Sequence, residues 1–231
     1  MTTQRDSDNM TAATCPICGR KHEIRTIRLV TGRAVCRVAC PECVERQRGQ
    51  EQEAQERQKQ ERLENAWKAI CPPLYQQTDP ARLPQDKSAQ VLAWEYGPKG
   101  LLLIGPTGTG KTRAAYLLLR RLLETGRAVR AFDCAAFGHE VARRFRDGTG
   151  EDWIDAVAKA EIVFLDDVGK IPFTERVEAE LFALIERRTA NLLPIIGTLN
   201  MTGADLEAKA SGDRGGPMVR RLREFCRVVI F

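Results

Sequence analysis

The sequence predicts an α/β protein with a five-stranded, mostly parallel sheet, preceded by a small cysteine-rich module and a helical linker. Three observations predict it. From Cys71 onward, short apolar runs alternate with longer helical patterns, as strands and crossover helices do in a parallel sheet. One of these alternations encloses the glycine-rich segment Gly105-Pro106-Thr107-Gly108-Thr109-Gly110-Lys111-Thr112. Ahead of them stand two CxxC pairs, with twenty-one residues between Cys18 and Cys40.

Residues 1–14 are polar and read as a disordered tail; they offer no apolar h-region for a secretory signal. Residues 15–47 hold the paired cysteines around Glu23 to Val38, a stretch rich in β-branched residues that Thr31-Gly32 breaks like a hairpin turn. Residues 48–70 are a charged helical linker, in which Glu53 and Arg57 illustrate the i,i+4 pairing of an exposed helix. An apolar seam is missing until Leu63, Trp67 and Ile70, so a solvated connecting helix is expected rather than a coiled-coil zipper. Residues 71–231 form the α/β domain. Its strands are expected at 100–105, 128–134, 161–166, 193–199 and 226–231. Its helices are expected at 111–124, 135–146, 152–160, 175–191 and 218–224.

Composition narrows the function classes. A chain of 231 residues suits one α/β domain plus an appendage. No apolar run approaches the roughly 18 residues of a membrane helix, so the cytoplasm is the expected compartment and no membrane partner is expected. The net charge of +5 is mild. Arginines cluster at Arg143, Arg144 and Arg146 and again at Arg220, Arg221, Arg223 and Arg227; either group can meet phosphates or form a solvated basic face. Eight cysteines in such a chain point to metal ligation more than to disulfides. Cys134 and Cys226, in apolar surroundings, read as small core residues.

The glycine-rich segment fits GxxxxGK[ST] at every fixed position, with an apolar strand before it and a helix after. Its glycines let the backbone turn so that several N–H groups face phosphate oxygens. The following helix aims its positive end at the same place. Lys111 is placed to neutralise the β- and γ-phosphates of ATP, and the Thr112 hydroxyl to ligate Mg2+. The strand Ile162-Val-Phe-Leu165 delivers Asp166 and Asp167 to the sheet edge where ligands gather. Asp166 is assigned to the metal and Asp167 to the attacking water, with a turn-capping role for Asp167 as the alternative. Asn200 ends the next strand, where it can touch the γ-phosphate or serve as a turn residue.

Cys15, Cys18, Cys40 and Cys43 have the spacing of a structural Zn2+ site. A redox dithiol or an iron–sulfur site is the alternative, with His22 and Cys36 as substitute ligands. Four thiolates leave no open coordination position, so the module is expected to dock to DNA or protein rather than to catalyse.

Together the motifs of 71–231 resemble AAA+ ATPases, and within them the DnaC-type replicative helicase loaders and IstB-type transposition helpers. The resemblance rests on Cys71-Pro-Pro-Leu-Tyr75, LLLIGPTGTGKT, IVFLDDVGK, Ile185-Glu-Arg-Arg188, Pro194-Ile-Ile-Gly-Thr-Leu-Asn200 and Val219-Arg-Arg-Leu-Arg223. It implies an AAA+ P-loop core without a C-terminal lid, the chain stopping at Phe231 after the fifth strand. It gives Asn200 the sensor-1 role and makes Arg221 the arginine finger that reaches a neighbouring subunit's γ-phosphate. The segment Gly212-Asp-Arg-Gly-Gly-Pro217 departs from the helix that relatives continue here, so Arg214 and Arg220 stay as alternatives for the finger. The resemblance also places the Arg143–Arg146 helix near bound single-stranded DNA. The function it implies is a DnaC-like, ATP-hydrolysing loader of a replicative helicase onto single-stranded DNA, a homo-oligomer when ATP-bound. The alternatives are an IstB-like ATPase that activates a transposase on duplex DNA, or a zinc-dependent adaptor with an ATP-binding switch.

Overall fold

The computed structural model describes residues 10–25, 39–171, 174–210 and 212–231. The chain forms two compact units, Met1–Arg62 and Leu63–Phe231.

In the first unit, β1 (Met10–Thr14) pairs antiparallel with β2 (Lys21–Arg25), from Met10↔Arg25 to Thr14↔Lys21. The end of the segment expected to be a disordered tail is therefore a strand. The first CxxC loop accounts for it: the Cys15 N–H donates to the Arg20 carbonyl at 2.8 Å, and the Gly19 N–H to the Cys15 carbonyl at 3.0 Å. That closed turn brings its two flanks side by side. The hairpin expected at Thr31-Gly32, and Cys36, lie outside the described residues.

The helix α1 (Pro41–Ile70) begins inside the second CxxC pair, seven residues before the expected linker. Pro41 suits a first turn, where the missing N–H costs nothing. The boundary between the units falls within α1, just before Leu63. There its apolar seam begins: Trp67 is buried and Ile70 half-buried in the second unit's core.

The second unit opens with two elements not expected from sequence, α2 (Pro73–Gln76) and α3 (Gln85–Leu92), with a 3-10 turn at Pro80–Arg82 between them. Then follow β3 (Gly100–Ile104), α4 (Lys111–Glu124), β4 (Val129–Asp133), α5 (Cys134–Arg146), α6 (Gly150–Ala158) and β5 (Ile162–Asp166). After a 3-10 turn at Val168–Lys170 come α7 (Glu175–Ala190), β6 (Ile195–Leu199), α8 (Gly203–Lys209), α9 (Gly212–Phe225) and β7 (Cys226–Ile230). The five strands are all parallel, in the order β4-β5-β6-β3-β7. Residues alternate between the faces as the period of two requires. Leu101, Leu103, Ile162, Phe164 and Ile196 join one core with α4, while Leu102, Val163, Leu165 and Ile195 join another with α5 to α9. Cys134 and Cys226 lie in that second core as expected.

The helix α9 runs through the glycine-proline segment that was expected to break it. Packing explains the override. A side chain at Gly215 would stand 2.6 Å from the Glu207 carbonyl of α8, so only glycine lets these two helices come that close. Among the described residues no helix is long and apolar enough to cross a membrane.

Candidate functional site

The strand order builds the site. β6 lies between β3 and β5, although it follows both in sequence. The carboxyl ends of these three strands therefore meet at a point where connections leave in different directions, the usual ligand crevice of a parallel sheet. A cavity of about 850 Å3 opens there. Residues 107–112 of the loop line it together with Asp133, Asp166, Asp167, Lys170, Thr198 and Asn200, and Tyr75, Leu83 and Pro84 line it from the segment around α2 and α3.

Gly110 sits at φ 95° as the N-cap of α4, a left-handed conformation that glycine adopts freely. No side chain caps that helix, so its first N–H groups are left for an anion, in keeping with the helix's positive end. The ammonium of Lys111 is nearly buried and donates to the carbonyls of Gly105 at 2.8 Å and Pro106 at 2.6 Å. Burial pulls its pKa down, while the charges of Asp167 and Asp166 oppose that.

Asp166 is the hub of the polar network. Its Oδ1 accepts from the Thr112 hydroxyl at 2.9 Å and from the Thr198 hydroxyl at 2.7 Å. Burial pushes its carboxyl upward, and the two hydroxyl donors hold it back. The Asp167 N–H donates to the Thr198 oxygen at 2.7 Å. This contact pins Asp167 at φ 56°, ψ 57°, a left-handed backbone that is uncommon without glycine and is found where a site holds strain. The Asp167 Oδ2 pairs with Lys170 Nζ at 2.7 Å. Its Oδ1 and the Oδ1 of Asn200 are buried without a hydrogen-bond partner, a cost that a ligand or water removes.

The structure thus gathers Thr107 to Thr112, Asp166, Asp167 and Asn200 around one cavity, while Gly105 and Pro106 supply the carbonyls that hold Lys111. Thr112 and Asp166 offer hard oxygen atoms to one point, a donor set that fits Mg2+. Sequence reasoning missed several lining residues, among them Thr198, Asp133 and Lys170. Thr198 lies inside a quoted motif, yet its role follows only from the position of β6 between the other strands.

Arg221 does not line this cavity. Its Nε and Nη2 donate to the two carboxylate oxygens of Glu186 on α7, at 2.6 and 3.3 Å. Arg220 is exposed on α9 and Arg214 half-buried. Of the other arginine group, Arg143 and Arg144 both donate to Glu140, whose carboxyl is held at about 2 by those two guanidinium groups. The single carboxylate of Glu140 thus offsets one of the positive charges that Arg143, Arg144 and Arg146 place on α5.

In the first unit, the sulfurs of Cys15, Cys18, Cys40 and Cys43 lie within 4.8 Å of one another. Cys18 and Cys40 are 3.6 Å apart, close to the roughly 3.8 Å between sulfurs that tetrahedral Zn–S bonds of about 2.3 Å require. The Cys40 N–H donates to Cys15 Sγ at 3.3 Å, and Arg46 Nη2 to Cys43 Sγ at 3.1 Å. The Cys15 thiol is lowered to about 6, chiefly by the Cys40 N–H, whereas burial raises Cys43 to about 12. The donor set and its geometry fit a zinc ion.

Comparison with known proteins agrees with this geometry. The model of the IstB-like ATP binding protein family matches residues 50–214, well over half of the chain. DnaI is similar in structure with a TM-score of 0.57 and 17% identity, over 72% of this chain and 93% of that one. The DnaC helicase loader gives 0.53 and 20%, over 72% and 98%. The replication initiator DnaA bound to AMPPCP and single-stranded DNA gives 0.54 and 19%, over 69% of this chain and half of that one. At these identities the structures establish the shared AAA+ P-loop fold, and the family match adds the nucleotide. The chain with this phosphate loop, this Asp166–Thr198 network and this strand order belongs to the family of IstB-like ATP binding proteins.

Proposed function

We propose that this protein is a Mg2+-dependent ATPase of DNA replication that loads a replicative helicase onto single-stranded DNA. The observation that carries the hydrolytic reading is the convergence of Lys111, Thr112, Asp166, Asp167 and Asn200 on one cavity, with the Asp167 and Asn200 Oδ1 atoms buried and unpartnered. Bound Mg2+ would be held by Thr112 and Asp166 and would supply charge neutralisation at the phosphates. The chain's own residues do the rest. The loop N–H groups and Lys111 orient the triphosphate. Asp167 aligns a water whose oxygen bonds to the terminal phosphorus as the bond to the bridging oxygen breaks. The water's proton passes to Asp167, and ADP and phosphate leave. Asn200 holds the water or the terminal phosphate. Tyr75, Leu83 and Pro84 offer an apolar wall to the base.

The helicase reading draws on the likeness to DnaI and the DnaC helicase loader over nearly their full length. It is tested by mixing the full chain with its host's replicative helicase, ATP and single-stranded DNA. A complex resolved by size exclusion, absent in Lys111→Ala, supports it; no complex with any helicase overturns it. The family match favours a second reading, an IstB-like helper that activates a transposase on duplex DNA. Duplex-dependent oligomers and capture of a transposase would select it.

Hydrolysis between subunits assigns Arg221 as the arginine finger, preorganised by its contact with Glu186. Arg221→Ala is expected to keep nucleotide affinity and to lose at least about a hundredfold in turnover, within the range for such fingers. Normal turnover in that variant, with loss in Arg220→Ala or Arg214→Ala, moves the role to one of those residues.

The four cysteines are assigned to one structural Zn2+. About one equivalent of zinc per chain is expected by metal analysis, falling toward zero in a Cys15→Ser/Cys43→Ser variant. Because so small a module has little core of its own, chelation should unfold the first unit and leave nucleotide binding by the second intact. Iron, or no metal at all, in the purified chain would contradict the assignment.

A further inference from the structure

Lys170 ends the segment IVFLDDVGK, in which only Asp166 and Asp167 were given roles. It closes the 3-10 turn that follows Asp167, its N–H donating to the Asp167 carbonyl at 2.8 Å. Its ammonium reaches back to Asp167 Oδ2 at 2.7 Å, although 62% of the side chain is exposed. It also lines the nucleotide cavity, together with Lys111 and Asn200. The turn that carries it is fixed from behind. Lys209 of α8 donates to the Gly169 carbonyl at 2.8 Å, and a side chain at Gly169 would stand 2.8 Å from Asn200 Oδ1 and closer still to Met201. The backbone at 168–170 is therefore held, while the long, exposed lysine side chain is free to swing.

Charge decides where it swings. Four carboxylates, Asp79, Asp133, Asp166 and Asp167, line the cavity along with Arg82 and Arg113, and Lys111 is engaged by the carbonyls of its own loop. Among the described residues, Lys170 is the cation that pairs directly with Asp167, next to Asp166. The terminal phosphate of a nucleoside triphosphate carries more negative charge than one carboxylate and presents three acceptor oxygens. An ammonium on a flexible stem is suited to such a point-charge contact. A diphosphate offers no group at that place.

We propose that Lys170 is a positioning residue that exchanges Asp167 for the terminal phosphate when a nucleoside triphosphate binds. The inference rests on the reading of this cavity as an ATPase site. Without nucleotide, Lys170 occupies one oxygen of the carboxylate that must meet the water. With a triphosphate, the transfer of the ammonium frees that oxygen beside the already unpartnered Oδ1 and adds a positive charge at the phosphoryl group. Lys170 thereby makes both the preference for triphosphate over diphosphate and the readiness of Asp167 depend on one side chain.

The test is calorimetric titration of the full chain with AMPPCP and with ADP, both with Mg2+, for the wild type, Lys170→Ala and Lys170→Arg. A charge-assisted contact of ordinary strength corresponds to about a tenfold to hundredfold change in affinity. The wild type is expected to prefer AMPPCP. Lys170→Ala should weaken AMPPCP binding by at least about tenfold and leave ADP binding within about twofold, and Lys170→Arg should restore most of the difference. An unchanged AMPPCP-to-ADP ratio in Lys170→Ala overturns the inference. So does an equal loss for both nucleotides, which is what a merely structural role gives. A wild type that binds neither nucleotide removes the ATPase reading itself, an outcome distinct from either.

Discussion

Replacing Lys111 by alanine is expected to remove ATP binding and hydrolysis while leaving the fold as stable as before or more so. The two halves of this expectation have one cause. The Lys111 ammonium is held almost out of water by the carbonyls of Gly105 and Pro106, and burial lowers its pKa. A lysine whose folded-state pKa lies below its unfolded value destabilises the fold at every pH below that unfolded value. Near neutral pH the charged form therefore weakens the fold, and a phosphate relieves the penalty. Removing the side chain forfeits charge-assisted contacts to two phosphates, about 3 kcal/mol or more and thus over a hundredfold in nucleotide affinity. Titration with ADP and AMPPCP, beside a thermal melt without nucleotide, checks both halves. Retained affinity, or a large fall in Tm, would show that Lys111 serves the fold rather than the phosphates.

The second large effect is expected at Arg188, on stability. This arginine is fully buried and, among the described residues, has no carboxylate within salt-bridge distance. Instead its two terminal nitrogens donate to the carbonyls of Val157, Ala158, Ala160, Glu161 and Pro194, at 2.7 to 3.3 Å. Burial pulls it down to about 10, still far above neutral pH, so the guanidinium stays charged. These carbonyls end α6 and lead into β5 and β6, the strands that deliver Asp166 and Asn200. Arg188→Ala leaves them without donors and should cost about 3–5 kcal/mol, lowering the second unit's Tm by roughly 10 °C. Arg188→Lys should rescue little, because a compact ammonium cannot span five acceptors that a planar fork reaches. A Tm within about 2 °C of wild type in Arg188→Ala would refute this role.

Much of the fold was legible because it depends on short-range patterns. The alternation of apolar runs placed all five sheet strands to within about two residues, and α4 spans Lys111–Glu124 as expected. The helices that escaped whole are short: α2 and α3 follow Pro72 and Pro84, and α8 has only seven residues. Such segments carry too little periodicity to register. α9 escaped in part for the opposite reason: its local composition argues against a helix, and contact with α8 at Gly215 overrules it.

Legibility of the site divides along the same line. Lys111, Thr112, Asp166 and Asp167 sit in contiguous motifs whose chemistry fixes their spacing. Thr198, Asp133 and Lys170 act through neighbours distant in sequence or through a side chain folded back on its own turn. The clustering of Arg143 and Arg144 is compatible with a phosphate-facing patch or a solvated basic face; the structure adds that both donate to Glu140 on the same helix, at the i,i+3 and i,i+4 spacings that place side chains together, a contact no sequence motif announced.

The most direct measurement is phosphate release from Mg-ATP by the full chain, alone, with single-stranded DNA and with duplex DNA, beside the Asp167→Asn variant. Hydrolysis that depends on Mg2+, rises more with single strands than with duplex, and falls at least about a hundredfold in Asp167→Asn is the predicted result. Release of no phosphate under any condition, or turnover unchanged by Asp167→Asn, would contradict the assignment of this cavity as the catalytic centre.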